Sequence, residues 1–211
     1  MFLKETTPYE ISDTIKSFKV SKSSDIYGIA TKFVKIASPA LETVLSSIFN
    51  KSISEGIFPE AMKVAKVIPI YKGNSRYIVS NYHPISLLPI FSKIFEKIMY
   101  TRIIEFITKN NILNSNQFGF QKNKSTEMAV NAITNHIVNS FEKKESVYCI
   151  FLDFAKAFDT VRHDILINKL EYYGIRGLPL KWLRSYLNNR QQYTEIDDTL
   201  SNIDFIKSGV P

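Results

Sequence analysis

Six apolar residues, Val147 to Leu152 (VYCIFL), run without a break into Asp153. A continuous apolar run of this length predicts a strand buried on both faces. An aspartate at the end of such a strand is held by rigid backbone at the sheet edge, where ligands of mixed α/β folds gather. Its oxygens suit Mg²⁺, which binds through one or two carboxylates together with substrate phosphates. The same aspartate can instead cap the helical turn that follows it. The pattern alone leaves both readings open, and the cap is the commoner one.

The rest of the chain alternates short strands with longer helices. Thr7-Pro8 with Glu10, Ile11, Ile15 and Phe18 predicts a capped amphipathic helix. A short helix over 29–36 and a second one carried by Leu41, Val44, Leu45, Ile48 and Phe49, stopped by Gly56, come next. Lys63 to Tyr71 alternates as a strand does, and Asn81 to Pro89 is extended. Helices are predicted over 90–109, 125–143, 164–173 and 179–188, and a β pair over 191–196 and 203–207. This mixture predicts an α/β or α+β fold.

Charge is concentrated. The chain has 211 residues and a net charge of +7, yet residues 61–124 alone carry ten Lys/Arg against Glu96 and Glu105. A basic segment of this kind is either a phosphate-binding surface or a solubilising one. The apolar content, 45%, excludes disorder. The single Cys149 excludes an internal disulfide and fits a reducing, intracellular compartment. No apolar run is long enough to span a bilayer, and MFLKETTPYE lacks a signal-peptide core, so no membrane partner is expected.

Spacing removes several chemistries. Ala155 stands where an aspartyl-phosphate enzyme often needs a second aspartate. No GxxxxGK[ST] loop occurs. His83, His136 and His163 have no paired ligand spacing, which argues against zinc.

Four segments, in order, then carry a resemblance. FLDFAKAFDTVRHDILINKL resembles the first catalytic motif of reverse transcriptases from non-LTR (LINE-type) retrotransposons. VIPIYKGNSRYIVSNYHPISLLPIFSKIFEKIMYTRI resembles the fingers segment of that family, and LNSNQFGFQKNKST the motif after it. LEYYGIRG with LRSYLNNRQQ resembles the segment that follows the first catalytic motif, and SSDIYGIATKFVKIA a lead-in. The likeness is strongest over residues 63–211.

The resemblance implies a right-hand polymerase that adds deoxynucleoside triphosphates to a DNA primer on an RNA template, with two Mg²⁺ ions, or Mn²⁺ in their place. It implies a helical lead-in at 1–60, basic fingers at 61–146 and a partial palm at 147–211. Asp153 matches the first metal-binding aspartate, with the carbonyl of Phe154 as a further metal contact. Phe158 matches the bulky residue under the sugar that excludes a 2′-hydroxyl; without the family it reads as a core aromatic. Lys72 matches the triphosphate lysine. Arg76, Gln117, Lys122 and Lys124 become candidates for triphosphate or template contact. Nuclear action is implied by the resemblance alone.

Two departures qualify this expectation. His83 stands where relatives commonly carry arginine, and a largely neutral imidazole does not replace a guanidinium fork on phosphate. The second catalytic motif, Tyr/Phe-Ala-Asp-Asp after a Gly-Val-Pro-Gln-Gly-Ser turn, does not occur, and the last residues are Gly209-Val210-Pro211. Asp197-Asp198 reads as a solvated turn, and Asp159 as a residue of the helical turn beyond the metal. The chain is therefore expected not to polymerise alone. A non-catalytic RNA or primer–template binding module, and a degenerate copy without function, are the alternatives.

Overall fold

The structure is a computed structural model that describes every residue except Lys22, Asp198 and Pro211. The Asp197-Asp198 pair and the Gly209-Val210-Pro211 turn therefore fall partly outside the described residues. The fold is mixed α/β, with six α-helices and a five-stranded sheet among the described residues. The chain divides into two compact units, Met1–Ile103 with Ala157–Pro211, and Ile104–Lys156.

In the first unit, α1 (Pro8–Ser17) starts as its sequence dictates. Thr7 is the N-cap, its hydroxyl accepts the Glu10 N–H at 3.2 Å, and Pro8 opens the helix, where its missing N–H costs nothing. Residues 29–36 and 41–49 are not two helices. They belong to one helix, α2 (Thr31–Glu55), that runs through Pro39 and ends on Gly56 at φ 66°. Proline removes one hydrogen bond from a helix interior. The buried row Val34, Leu45, Phe49 and Ile53 offsets that loss by packing along both halves.

β1 (Val64–Tyr71) and β2 (Tyr82–Leu87) form an antiparallel hairpin. The Lys72 N–H donates to the Asn81 carbonyl at 2.8 Å, so Lys72 and Asn81 are a hydrogen-bonded pair. Pairs alternate along an antiparallel ladder. Pro69 and Pro84, which face each other, therefore fall at a non-hydrogen-bonded position, where neither ring removes a donor the ladder needs. Asp25 ties the lead-in to α3 (Ile90–Lys109): its carboxylate accepts the N–H groups of Tyr27 and Ile29, both at 2.9 Å, and of Ile90 at 2.8 Å.

α5 (His163–Tyr172) and α6 (Leu178–Leu187) lead to β3 (Gln191–Ile196). β3 runs parallel to β1 on one side. On its other side it pairs antiparallel with β4 (Thr199–Leu200) and β5 (Asp204–Phe205).

An aromatic stack forms the core. Phe49 of α2 lies flat on Phe95 of α3, with centroids 4.0 Å apart at 6°. Trp182 of α6 meets Phe95 at 5.0 Å and Phe58 at 5.3 Å, edge to face, and Tyr186 stacks on Trp182. The Trp182 indole N–H donates to Ser52 Oγ at 3.0 Å. Arg190, 1% exposed, lies 4.8 Å from the Tyr186 ring. Burial pushes its guanidinium below its ordinary pKa, and burial likewise pushes the Tyr186 phenol up. A second buried arginine, Arg102, reaches Glu10 at 2.9 Å and Thr6 Oγ1 at 3.1 Å, fastening the N-terminal segment to α3.

The second unit carries α4 (Thr126–Glu142), with Ser125 as its N-cap. The strand expected over 147–152 does not form. No described strand pairs with this segment, and Tyr148, Ile150, Phe151 and Leu152 are between 79% and 91% exposed. An apolar sequence supplies the preference for burial, but a strand exists only through hydrogen-bonded neighbours, and none of β1–β5 supplies them.

These differences set a stability contrast. Phe95→Ala and Trp182→Ala are each expected to cost about 3–5 kcal/mol, as large aromatic truncations in packed cores do. Tyr148→Ser should stay within about 0.5 kcal/mol. Urea unfolding followed by far-UV circular dichroism checks all three variants, and tryptophan fluorescence is a second probe for the two that keep Trp182.

Candidate functional site

Side chains of a strand alternate between faces, so the register of the β1–β2 hairpin sorts its residues. Ile68, Ile70, His83 and Ile85 share one face, and Ile70 sits directly opposite His83. Lys72, one step past Tyr71 and still bonded to Asn81, continues the alternation onto that same face. Lys72 and His83 are thus brought to one end of one face, and both are exposed. Val67, Pro69, Tyr71, Tyr82 and Pro84 occupy the opposite face. Arg76 belongs to this second side, with its guanidinium 5.4 Å from the Tyr71 ring. Sequence reasoning groups Lys72 and Arg76 as neighbouring cations of one basic loop; the register separates them.

In the second unit, Gln117, Lys122 and Lys124 lie in the loop before α4. The Lys124 ammonium donates to the carbonyls of Ser115 and of Gln117, the latter at 3.0 Å, and lies 5.0 Å from the Phe118 ring. Gln117 donates to Gly119 and accepts from Gln121 through its backbone carbonyl. Lys124 therefore organises its own loop, and Lys122 is the exposed cation. Asp153 and Phe154 end the extended segment of the same unit, both exposed. A groove of about 550 Å³ lies between α4 and residues 147–151 of this segment.

Phe158 and Asp159 belong to the first unit, in a turn fixed by the last described residues. The Gly209 N–H donates to the Val161 carbonyl at 2.8 Å, and the Val210 N–H to the Phe158 carbonyl at 3.1 Å. Ser208 Oγ donates to the Asp159 carbonyl at 3.1 Å. His163 Nε2 lies 2.6 Å from the Gly209 carbonyl, so its proton sits on that nitrogen. Only glycine fits this clamp. Gly209 has φ 88°, and an added Cβ would stand 2.9 Å from the Asp159 carbonyl oxygen. The clamp borders a cavity of about 340 Å³ that Asp159, Arg190 and Ser208 help to line.

Comparison with known proteins adds to this geometry. The sequence profile of the reverse transcriptase (RNA-dependent DNA polymerase) family matches residues 70–211. The chain belongs to this family. It is 32% identical over 209 residues to the probable RNA-directed DNA polymerase from transposon BS of Drosophila melanogaster. It is 29% identical over 210 residues to the RNA-directed DNA polymerase from mobile element jockey of the same species. It is 27% identical over 211 residues to the probable RNA-directed DNA polymerase from transposon X-element, also of that species. These alignments cover 96–99% of the chain but only 22–23% of each relative. The resemblance to non-LTR retrotransposon polymerases therefore holds over the whole chain, which spans about a fifth of the relatives' length.

Every residue named above as a site candidate lies inside the matched region. Among the described residues, no group of three or more His, Cys, Asp or Glu gathers where it could hold a metal ion. Asp153 supplies one carboxylate, and the residues present do not complete a Mg²⁺ site by themselves. Two features of the reverse transcriptase chain escape a reading of the sequence. The tyrosines at 71 and 82 show only as ordinary strand residues, although their separation across a turn is a usable signal. The Gly209 clamp joins segments almost fifty residues apart, which no local pattern reveals.

Gly209→Ala is expected to destabilise the first unit by about 1–3 kcal/mol, the usual range for forcing a side chain into such a backbone. Thermal unfolding of the variant against the parent measures it, and His163→Ala should lower the midpoint by less.

Proposed function

We propose that this chain is the fingers and the first part of the palm of a retrotransposon reverse transcriptase. In this reading residues 1–60 are a helical lead-in, 61–146 the fingers and 147–211 part of the palm. The observation that carries it is that Lys72 and His83 share one exposed face at one end of the β1–β2 hairpin. That hairpin belongs to the segment that holds the chain's excess positive charge.

Lys72 is a point charge for the triphosphate of an incoming deoxynucleotide. His83 supplies a weaker contact beside it, because an imidazole lacks the permanent charge and the five-donor fork of a guanidinium. Lys122 and Arg76 hold template phosphates, and Gln117 with Lys124 shapes the loop that carries Lys122. Phe158 presents its ring to the sugar and selects against a 2′-hydroxyl. Asp153, with the Phe154 carbonyl, is this chain's contribution to a Mg²⁺ or Mn²⁺ site; the ion would polarise the primer hydroxyl and the triphosphate. A single gathered carboxylate does not clamp two ions, so the chain by itself binds primer–template without extending it. In this reading the element acts on chromosomal DNA in the nucleus.

Binding of a fluorescein-labelled RNA–DNA primer–template, followed by anisotropy across a salt series, tests the reading. The log of affinity should fall linearly with the log of salt, and Lys72→Ala should reduce that slope by about 0.7–0.9, the change for one phosphate contact. A flat response would overturn the reading. Extension of oligo(dT) on poly(rA) with Mg²⁺ should be absent for the chain alone. Extension that Asp153→Ala abolishes would show that one carboxylate suffices. In an active polymerase that carries this chain, His83→Arg should lower the nucleotide KM with little change in kcat. An unchanged KM would remove His83 from the phosphate site.

A further inference from the structure

The face of the hairpin turned away from Lys72 and His83 contributes only Arg76 to that scheme. Tyr71 and Tyr82 sit opposite each other in the ladder. They occupy a non-hydrogen-bonded position, where cross-strand side chains come closest. Their ring centroids are 5.5 Å apart at 52°. They line a groove of about 630 Å³ together with Pro69, Pro84, Tyr77 and Arg76.

The polar ends of the rings are already used. Tyr71 Oη donates to the Asn74 carbonyl, and Tyr82 Oη donates to the Arg76 carbonyl at 3.0 Å. Asn81 Nδ2 donates to the Ser75 carbonyl at 2.8 Å and holds the same turn. The turn that carries Arg76 and Tyr77 is thus tied down before any ligand arrives, and the rings offer their faces, not their hydroxyls. Tyr77 is 97% exposed.

We infer that this groove is a stacking site for the bases of single-stranded nucleic acid. The inference rests on the polymerase reading above and places a second contact on the opposite side of the hairpin. Planar apolar walls with a cation beside them suit a flat aromatic ligand carried on a polyanion. Tyrosine faces take bases of any sequence, and a guanidinium adds a cation–π and a phosphate contact. A duplex cannot enter, because its base faces are already covered. Asp197 also lines the groove, and its carboxylate repels phosphate from the interior. The base therefore points inward, and the backbone runs past Arg76 at the rim. The positive charge of residues 61–124 favours this occupant over a proline-rich peptide, the other flat-sided ligand that aromatic grooves accept.

The test uses the 211-residue chain and a fluorescein-labelled single-stranded RNA dodecamer. Tyr77→Ala is expected to weaken binding by about tenfold, the loss of one stacked base. It should leave the salt slope and the unfolding midpoint unchanged, and Tyr77→Phe should restore affinity. A dodecamer with abasic sugars keeps its phosphates and should bind as weakly to the parent chain as the intact RNA binds to Tyr77→Ala. A 4-thiouridine RNA should crosslink to Tyr71, Tyr77 or Tyr82. Equal affinity for abasic and intact RNA, or crosslinks confined to the Lys72 and His83 face, would overturn the stacking site while leaving the polymerase reading in place. No salt-dependent binding of any nucleic acid would overturn both. A proline-rich peptide that occupies the groove and is not displaced by RNA would reassign it to protein recognition.

Discussion

The first unit depends on one contact made across most of the chain: the indole of Trp182 packed edge to face on Phe58 and Phe95. Its N–H reaches Ser52, 130 residues earlier. Loop-closure entropy grows only slowly with length, so a long intervening segment adds little to the cost of this contact. Once it forms, the path from α6 to β3 is only a few residues, and Arg190 in that path is held under Tyr186. The parallel pairing of β3 with β1, the least local feature of the sheet, is in this sense a consequence of where Trp182 packs.

A second constraint sorts chemistry between faces. Pro69 and Pro84 fit the ladder only at a non-hydrogen-bonded pair, since in the alternate register each would leave a carbonyl opposite it without a donor. A one-residue slip would exchange the faces of the whole strand. The prolines thus fix which side chains accompany Lys72 and His83 and which accompany the tyrosines. The phosphate-facing and base-facing surfaces proposed for this hairpin follow from the same two rings.

Local signals in the sequence were the dependable ones. The Thr7-Pro8 and Ser125 caps, the alternation of 63–71 and the long apolar period of 90–109 all correspond to observed elements, because each depends on neighbours a few residues away. The expected division into helices at 29–36 and 41–49 does not hold for a physical reason: the one hydrogen bond that Pro39 removes is outweighed when both halves of the helix bury the same row. The run at 147–152 misled for another, since its apolar character states what a strand there would need and not whether a neighbour is present. In the candidate site, motif order named Lys72, His83 and Asp153, and the register adds that Lys72 and His83 share one face of the hairpin. Motif order could not show the register that parts Arg76 from Lys72, nor the backbone contact that makes Gly209 irreplaceable.

Asp153 and the Phe158-Asp159 turn, which the proposed function assigns to one motif, are therefore held by different physics. Phe158 and Asp159 stand in a turn fixed by four contacts from Ser208, Gly209, Val210 and His163. Asp153 stands at the end of a segment that no described strand pairs with. Metal chemistry requires a carboxylate held to within about 0.5 Å, which needs a rigid element beneath it. The described residues provide that rigidity to the turn and not to Asp153. Whatever fixes this carboxylate must do so by giving residues 147–152 the hydrogen-bonded neighbours their sequence calls for, and the burial of Tyr148, Ile150 and Leu152 would be the driving force. In the proposed reading, positioning of Asp153 and burial of this exposed apolar run would then be one event.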